Sequence, residues 1–328
     1  MIPDNPAQVA VVGMINSFNR AELLRIALPS LSAALRSSKH TGAITVFDAG
    51  STDGSCEFVR EFQQAHPEIP VVLVVSQPGE PNTFSDGINR GCAAASAAFP
   101  NLRWFFLFET DNWMADASPL DAALALGDAA RDIGAIGFTV RKYGGTSPGY
   151  GCRFPTALEF VLGAHLAARL GLDRSEGPAV AKSPGLPAFE CDAVYTSPIV
   201  IRREAWEKSG GLDADQFPFS DCDIDWAWRL KKLGWKQAVL RTDQVVHDNR
   251  ETLSKWSHSR VFHLHKARLR LIRRHRRTPV FLVKGGLMLR HLGELLGLAL
   301  LVHKPALYLP RLKKRWALLA SVPDNYDI

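Results

Sequence analysis

The sequence predicts an α/β fold, a mainly parallel sheet flanked by helices, followed by a C-terminal basic helical appendage. Three observations carry this. Short β-branched apolar runs alternate with stretches whose apolar residues recur at helical spacing. The runs end abruptly in polar or acidic clusters. Charge is also divided unevenly: from Arg250 to the end there are 17 Lys and Arg against 4 Asp and Glu, a net of +13, leaving 22 against 29, or −7, for residues 1–249.

The first run, Val9 to Ile15, is followed by Asn16-Ser-Phe-Asn-Arg20 and by apolar residues at helical spacing through Leu31, which reads as strand, loop and helix. Ala43 to Phe47 repeats the pattern, ending in Asp48-Ala-Gly-Ser-Thr-Asp-Gly54 ahead of a helical stretch from Cys56 to Gln64. Val71 to Val75 supplies a third strand and Asp86 to Ala98 another helix. Trp104 to Phe108 is a fourth strand, closing on Glu109-Thr-Asp-Asn112. Strands alternating with helices place ligand sites beyond the carboxyl ends of a parallel sheet, where these polar clusters lie. Residues 142–190 are rich in Gly and Pro, with one helical patch near Ala157 to Leu172, and are expected to form a variable insert over the site.

Composition excludes several classes. A chain of 328 residues with 46% hydrophobic and 22% charged residues can bury an ample core. Five scattered cysteines without a CxxC pair suggest neither a disulfide framework nor a zinc site, and a reducing cytoplasm is expected. The start lacks the basic and cleavage regions of a signal peptide. No stretch reaches about 18 uncharged apolar residues, so no membrane span is expected. There is no GxGxxG after the first strand and no GxxxxGK[ST], which disfavours dinucleotide and P-loop chemistry.

The clusters suggest a reaction. The Asp48 to Gly54 loop offers Asp and Ser to a ribose or base and glycines for close backbone approach, although turns are built from the same residues. Glu109 and Asp111 put two carboxylates at a strand mouth, where a hard divalent cation could bridge them and a diphosphate; a solvated strand end is the simpler alternative. Asp221, Asp223 and Asp225 alternate just before a helix expected from Ala227 to Leu233. One such residue could merely cap the helix; three exceed what capping requires. A carboxylate there could act as general base on an acceptor hydroxyl. His247 ends a strand from Gln237 to Val246 and could complete a cation's coordination, or serve only structurally.

Taken in order, these segments resemble the family 2 glycosyltransferases with the GT-A fold. Asn16-Ser-Phe-Asn-Arg20 is similar to the first nucleotide-binding loop, P-T-Y-N-R, and Asp48 to Gly54 to D-x-G-S-T-D-G. Asp86-Gly-Ile-Asn-Arg-Gly91 is similar to D-A-x-N-K-G, and Glu109-Thr110-Asp111 to the D-x-D metal motif. Arg202 to Leu230 resembles the block I-R-R-E-A through E-D-x-D to R-L, and Val246-His247 the strand ending in the metal-binding histidine. The resemblance covers roughly residues 8–250.

It implies a GT-A type, nucleotide-binding sheet and an inverting enzyme that uses a nucleoside diphosphate sugar with Mn²⁺ or Mg²⁺. By position, Asn16, Ser17, Phe18, Arg20, Asp48, Gly50, Ser51, Asp86, Asn89, Arg90, Glu109 and Thr110 would contact the donor. Asp111, His247 and Glu109 would hold the metal, and Asp223, with Asp221 or Asp225 as substitutes, would be the base. Two positions depart from the family: Glu109 stands for the first Asp of the metal motif, and Cys222 for the Glu before the base. The Q-x-x-R-W of processive synthases is absent, so single-sugar transfer is expected, in cell-surface polysaccharide or lipid-linked glycan synthesis.

Residues 1–250 are thus expected to be catalytic and 251–328 a basic amphipathic region on the inner face of the plasma membrane. Ser254 to Arg277 combines Trp256, Phe262, Leu264, Leu269 and Ile272 with Arg, Lys and His, as in a helix lying on anionic headgroups. Phe281 to Val302 is apolar but interrupted by Lys284, Arg290 and Glu294, which argues against a span. Arg311-Leu-Lys-Lys-Arg-Trp316 adds a second basic patch. The alternative is helices that pack on the catalytic domain or form a homodimer contact. A glycan or lipid-linked acceptor and an anionic membrane surface are the expected partners, and nucleic acid is not. Two other readings compete, a nucleotidyltransferase on a similar sheet and a non-catalytic nucleotide-sugar binding protein. The first wants a Gly-rich basic loop that Asn16 to Arg20 does not supply, and only Cys222 favours the second.

Overall fold

The computed structural model describes residues 8–142, 145–147, 151–172, 177–181, 183–248, 258–301, 309, 310 and 313. The chain runs Val11–Ser17 (β1), Ala21–Ser37 (α1), Gly42–Asp48 (β2), Ser55–Ala65 (α2), Val71–Val75 (β3), Phe84–Ala98 (α3) and Trp104–Leu107 (β4), the expected alternation. Asn112–Met114 (β5), Ser118–Ala129 (α4), Ile133–Phe138 (β6), Val140–Lys142 (β7), Gly145–Ser147 (β8) and Gly151–Cys152 (β9) follow. Next come Ala157–Leu162 (α5), Ala164–Arg169 (α6), Ala188–Cys191 (β10), Ala193–Val194 (β11), Ile199–Arg202 (β12) and Arg203–Ser209 (α7). Cys222–Lys232 (α8), Lys236–Leu240 (β13), Val245–His247 (β14), His258–Arg276 (α9) and Val280–Leu301 (α10) complete it.

An eight-stranded sheet in the order β10-β13-β6-β12-β4-β1-β2-β3 forms the centre. It is mainly parallel, as predicted: β1, β2, β3 and β4 run together, as do β6 and β13, while β12 runs against both β4 and β6, and β10 against β13. Side chains alternate across it with the period of two that a strand imposes. On one face Val11, Ile15, Ile44, Val46 and Phe106 pack with Leu24, Leu28 and Leu31 of α1. On the other, α3 lies so close that a β-carbon on Gly87 would stand 2.6 Å from Asn16 Oδ1 and 2.7 Å from Phe47 Cδ1. Only glycine lets a helix approach a strand so nearly. A smaller sheet, β5-β14-β7-β8, stands beyond the end of β4.

Two compact units are distinguished. Met1–Arg153 with Ser175–Ser254 contains both of these sheets, and Phe154–Arg174 with Lys255–Ile328 contains α5, α6, α9 and α10. Part of the stretch read as an insert, residues 154–174, therefore clusters with the C-terminal helices. Its helical patch is two helices, broken at Gly163, whose φ of 78° a side chain would resist. In the second unit Leu269, Ile272, Val280, Val283 and Leu287 form a small core with Ala157, Phe160 and Val161 against it. No described helix is long and apolar enough to cross a membrane. Ser254, Trp256, Arg311, Lys314, Arg315 and Trp316 lie outside the described residues.

Candidate active site

Strand order brings the polar clusters together. β1 and β2 end side by side, with Ser17 opposite Asp48. Asp48 is buried and organises its own loop: Oδ1 accepts from the backbone N–H of Gly50 at 3.0 Å and of Ser51 at 2.6 Å, and Oδ2 from Ser51 Oγ at 2.8 Å. Gly50 and Gly54 both have φ of 89°, the left-handed conformation that lets the loop fold back. The Asn16 to Arg20 loop is tied to it, Asn19 N–H donating to Ser51 Oγ at 2.8 Å and Thr52 N–H to Asn19 Oδ1 at 2.9 Å. Phe18 stays exposed beside this cradle, and Ser17 Oγ is buried with no hydrogen-bond partner among the described residues.

The α3 candidates have internal duties. Asp86 closes a capping box, its Oδ2 accepting from Thr83 N–H at 3.1 Å and from Thr83 Oγ1. Asn89 binds the backbone of Leu212 on both sides, at 2.8 and 2.9 Å. Arg90 donates to Glu80 at 2.7 Å and Ser76 at 3.2 Å, and its guanidinium lies over Phe47. The Asn89 bonds, with Ser85 Oγ donating to the Phe217 carbonyl, fasten α3 to the segment 212–218 that precedes α8.

Beyond β4 the chain turns at once: Asn112 N–H donates to the Glu109 carbonyl at 3.0 Å, so Glu109, Thr110 and Asp111 occupy a turn rather than a strand end. β5 then pairs antiparallel with β14, setting Asn112 opposite His247. Asp248 N–H donates to the Asp111 carbonyl at 2.7 Å. This pairing brings together residues separated by more than a hundred positions, and His247 Nε2 stands 3.4 Å from Asp111 Oδ2.

α8 begins five residues earlier than the periodicity suggested, so Asp223 and Asp225 lie in its first turn, and Asp221 is its N-cap residue with φ of 56°. The three aspartates have different surroundings. Asp225 is fully buried and pairs with Arg229 one turn on, Oδ2 to Nε at 2.9 Å, while the same guanidinium donates to the carbonyls of Ser209 and Gly211. Its chemistry is that of a brace. Asp223 Oδ1 accepts from the Ile224 N–H at 2.9 Å.

The electrostatics tie these groups into one site. Burial, followed by the nearby carboxylates of Asp111 and Asp223, pushes the Glu109 carboxyl up to about 8. Burial also raises Asp111, against the opposing pull of His247. Asp223 rises to about 6, first through burial and then through Asp221, while N–H donors from Ile224 and Thr196 work the other way. Thr196, whose Oγ1 reaches Glu109 Oε1 at 3.5 Å, and Ser197, which accepts a hydrogen bond from Asn112 Nδ2, also line this region.

A crowd of carboxylates in a low-dielectric site is what a bound cation relieves. Asp111 Oδ1 and Asn112 Oδ1 are buried without a hydrogen-bond partner among the described residues, which leaves oxygen donors for it. Among the described residues no three His, Cys, Asp or Glu groups close on one point. Mg²⁺-like ions commonly take one or two protein carboxylates and complete their shell with water and substrate phosphates, so an open pair at Asp111 and His247 fits such an ion.

The model of the "Glycosyltransferase like family 2" matches residues 6–270. N-acetylglucosaminyl-diphospho-decaprenol L-rhamnosyltransferase of Mycobacterium tuberculosis is 24% identical over 263 residues, 73% of this chain and 76% of the relative. Among solved structures, the mannosyltransferase PcManGT from Pyrobaculum calidifontis, in complex with GDP-Man and Mn²⁺, superposes with a TM-score of 0.54 at 15% identity, covering 95% of this chain and 82% of that one. S. aureus TarS 1-349 in complex with UDP-GlcNAc superposes at 0.52 and 12% identity, covering 96% and 82%. The neighbours show that the fold is GT-A. With the family's match spanning most of its length, the chain belongs to the glycosyltransferase-like family 2 and is a sugar-transferring enzyme.

Proposed function

We propose that the chain transfers a single sugar, with inversion, from a nucleoside diphosphate donor to the hydroxyl of a lipid-linked acceptor during synthesis of a cell-surface glycan. The observation that carries the reading is the gathering of buried carboxylates just beyond β4: the charges of Asp111 and Asp223 both reach Glu109 and raise its carboxyl beyond what burial does, and His247 stands 3.4 Å from Asp111. The curated relative, named for rhamnosyl transfer onto a diphospho-decaprenol carrier, supports a lipid-linked acceptor.

In this reading the cradle of Asn16, Ser17, Phe18, Arg20, Asp48, Gly50 and Ser51 holds the nucleotide. Asp86, Asn89 and Arg90 fix the helix behind it. Asp111 and His247, with Glu109 adjacent, would hold Mn²⁺ or Mg²⁺, which when bound balances the charge gathering on the leaving diphosphate. The acceptor oxygen attacks the anomeric carbon from the face opposite the diphosphate. As the new C–O bond forms and the bond to the phosphate oxygen breaks, the hydroxyl proton passes to Asp223. A carboxyl raised to about 6 is ionised at neutral pH yet more basic than an ordinary aspartate, as suits a base. Asp221 supports this role by its charge, and Asp225 by holding α8 in place through Arg229. Residues 1–250 are the catalytic region and 251–328 the part that works at the membrane surface.

The test is a panel of UDP-, GDP- and dTDP-linked sugars with Mn²⁺ and a polyprenyl diphosphate glycan acceptor, the product's anomeric configuration being read by NMR. One donor should be consumed and its configuration inverted. Retention, or consumption of no donor, would contradict the proposal.

A further inference from the structure

α10 has two apolar sides, and one of them is uncovered. Val280, Val283 and Leu287 are buried in the small core of the second unit. Gly286 allows the close approach to α5, since a β-carbon there would stand 2.9 Å from Val161 Cγ1. Opposite, Phe281, Leu282, Met288, Leu289, Leu292 and Leu296 are all exposed, Phe281 at 67% and Leu289 at 71%. At about 100° per residue these six fall within an arc of about 120°, a continuous stripe along the helix. Single exposed leucines are ordinary; a stripe of six large apolar side chains marks a surface that meets something. Leu158, Leu166 and Leu170 add three more exposed leucines in the same unit.

Charge indicates what it meets. Arg276 and Arg277 are exposed where α9 ends, and the sequence from Arg250 onward carries 17 Lys and Arg against 4 Asp and Glu. Within α10 Lys284 borders the stripe, while Arg290 turns toward α5, paired with Glu294 at 2.8 Å and donating to the Val161 carbonyl at 3.4 Å. An apolar-striped helix within so basic a region suits the interface of an anionic bilayer, where aliphatic side chains enter the acyl boundary and cations meet phosphates. No described helix qualifies as a span.

We infer that α10 lies flat in the surface of an anionic phospholipid bilayer, the stripe from Phe281 to Leu296 immersed and the neighbouring Lys and Arg at headgroup level. The inference deepens the lipid-linked acceptor reading and rests on it for its purpose: it brings the enzyme to the plane that carries such an acceptor.

The test is co-sedimentation of the full chain with phosphatidylcholine vesicles containing or lacking phosphatidylglycerol, at low and high salt. Wild type is compared with the double variant Leu282→Glu, Leu289→Glu, and with Phe281→Ser, Leu292→Ser should the first fail to fold. Wild type should pellet with anionic vesicles, about tenfold less at high salt or without phosphatidylglycerol. The folded variants should lose at least that much binding and keep the wild-type rate of donor hydrolysis in solution. Equal pelleting of wild type and variants, or none by wild type, overturns the inference. A concentration-dependent dimer that the variants abolish, without vesicle binding by wild type, overturns it in favour of a second copy of this chain. Loss of hydrolysis by wild type itself would count against the catalytic reading and leave the pelleting result to decide this one.

Discussion

At Asp223, the proposed base, burial raises the carboxyl, and the pH dependence that this role predicts follows from the direction of the shift. The carboxyl is raised to about 6, and only its ionised form can accept the acceptor proton. Turnover should therefore rise as pH climbs through about 6, then level off, and be lost again on acidification; a pH–rate profile of kcat checks this. Asp223→Asn should lower kcat by about 10²- to 10⁴-fold while donor affinity by calorimetry stays unchanged. Asp111→Ala should remove the Mn²⁺-dependent part of that affinity and leave the melting temperature near wild type. The motif residues were legible because each lies in a short cluster of distinctive types. Thr196 and Ser197 were not, since a Tyr-Thr-Ser-Pro run carries no signal until folding sets it beside Glu109 and Asn112. That Asp225 pairs with Arg229 was readable in principle from their i, i+4 spacing.

The first four strands and three helices follow the sequence's own periodicity closely, because β-branched runs such as Val71 to Val75 admit few other readings. β6, Ile133 to Phe138, gave a weak signal: two of its six residues are glycines, which dilute a strand's pattern although the strand is buried throughout. The site of β12, antiparallel between β4 and β6, could not be read at all, since periodicity says nothing about which strand a strand adjoins. Arg229→Met removes the cation paired with the buried Asp225 carboxylate and should cost roughly 3–5 kcal/mol, measured by urea unfolding. Gly87→Ala drives a methyl into Asn16 and Phe47 and should cost roughly 1–3 kcal/mol while weakening donor binding, because α3 must retreat from the nucleotide cradle.

The whole molecule divides its charge unevenly along the chain, an acidic stretch of −7 that contains the carboxylate site and a basic one of +13 that contains the exposed apolar stripe. The asymmetry was plain in the sequence, whereas the joining of residues 154–174 to the C-terminal helices appears only in the fold. Asp111 and His247 are proposed to hold a divalent cation for the donor, and Asp223 to perform the proton transfer. Donor consumption by wild type, Asp111→Ala and Asp223→Asn, with Mn²⁺ and after chelation, in the presence of acceptor tests it most directly. Wild type should turn over only with the metal, Asp111→Ala should lose the Mn²⁺-dependent part of donor binding and consume no donor, and Asp223→Asn should bind donor with metal but lose transfer by about 10²-fold or more. Turnover indifferent to chelation, or near-wild-type transfer by either variant, would contradict it.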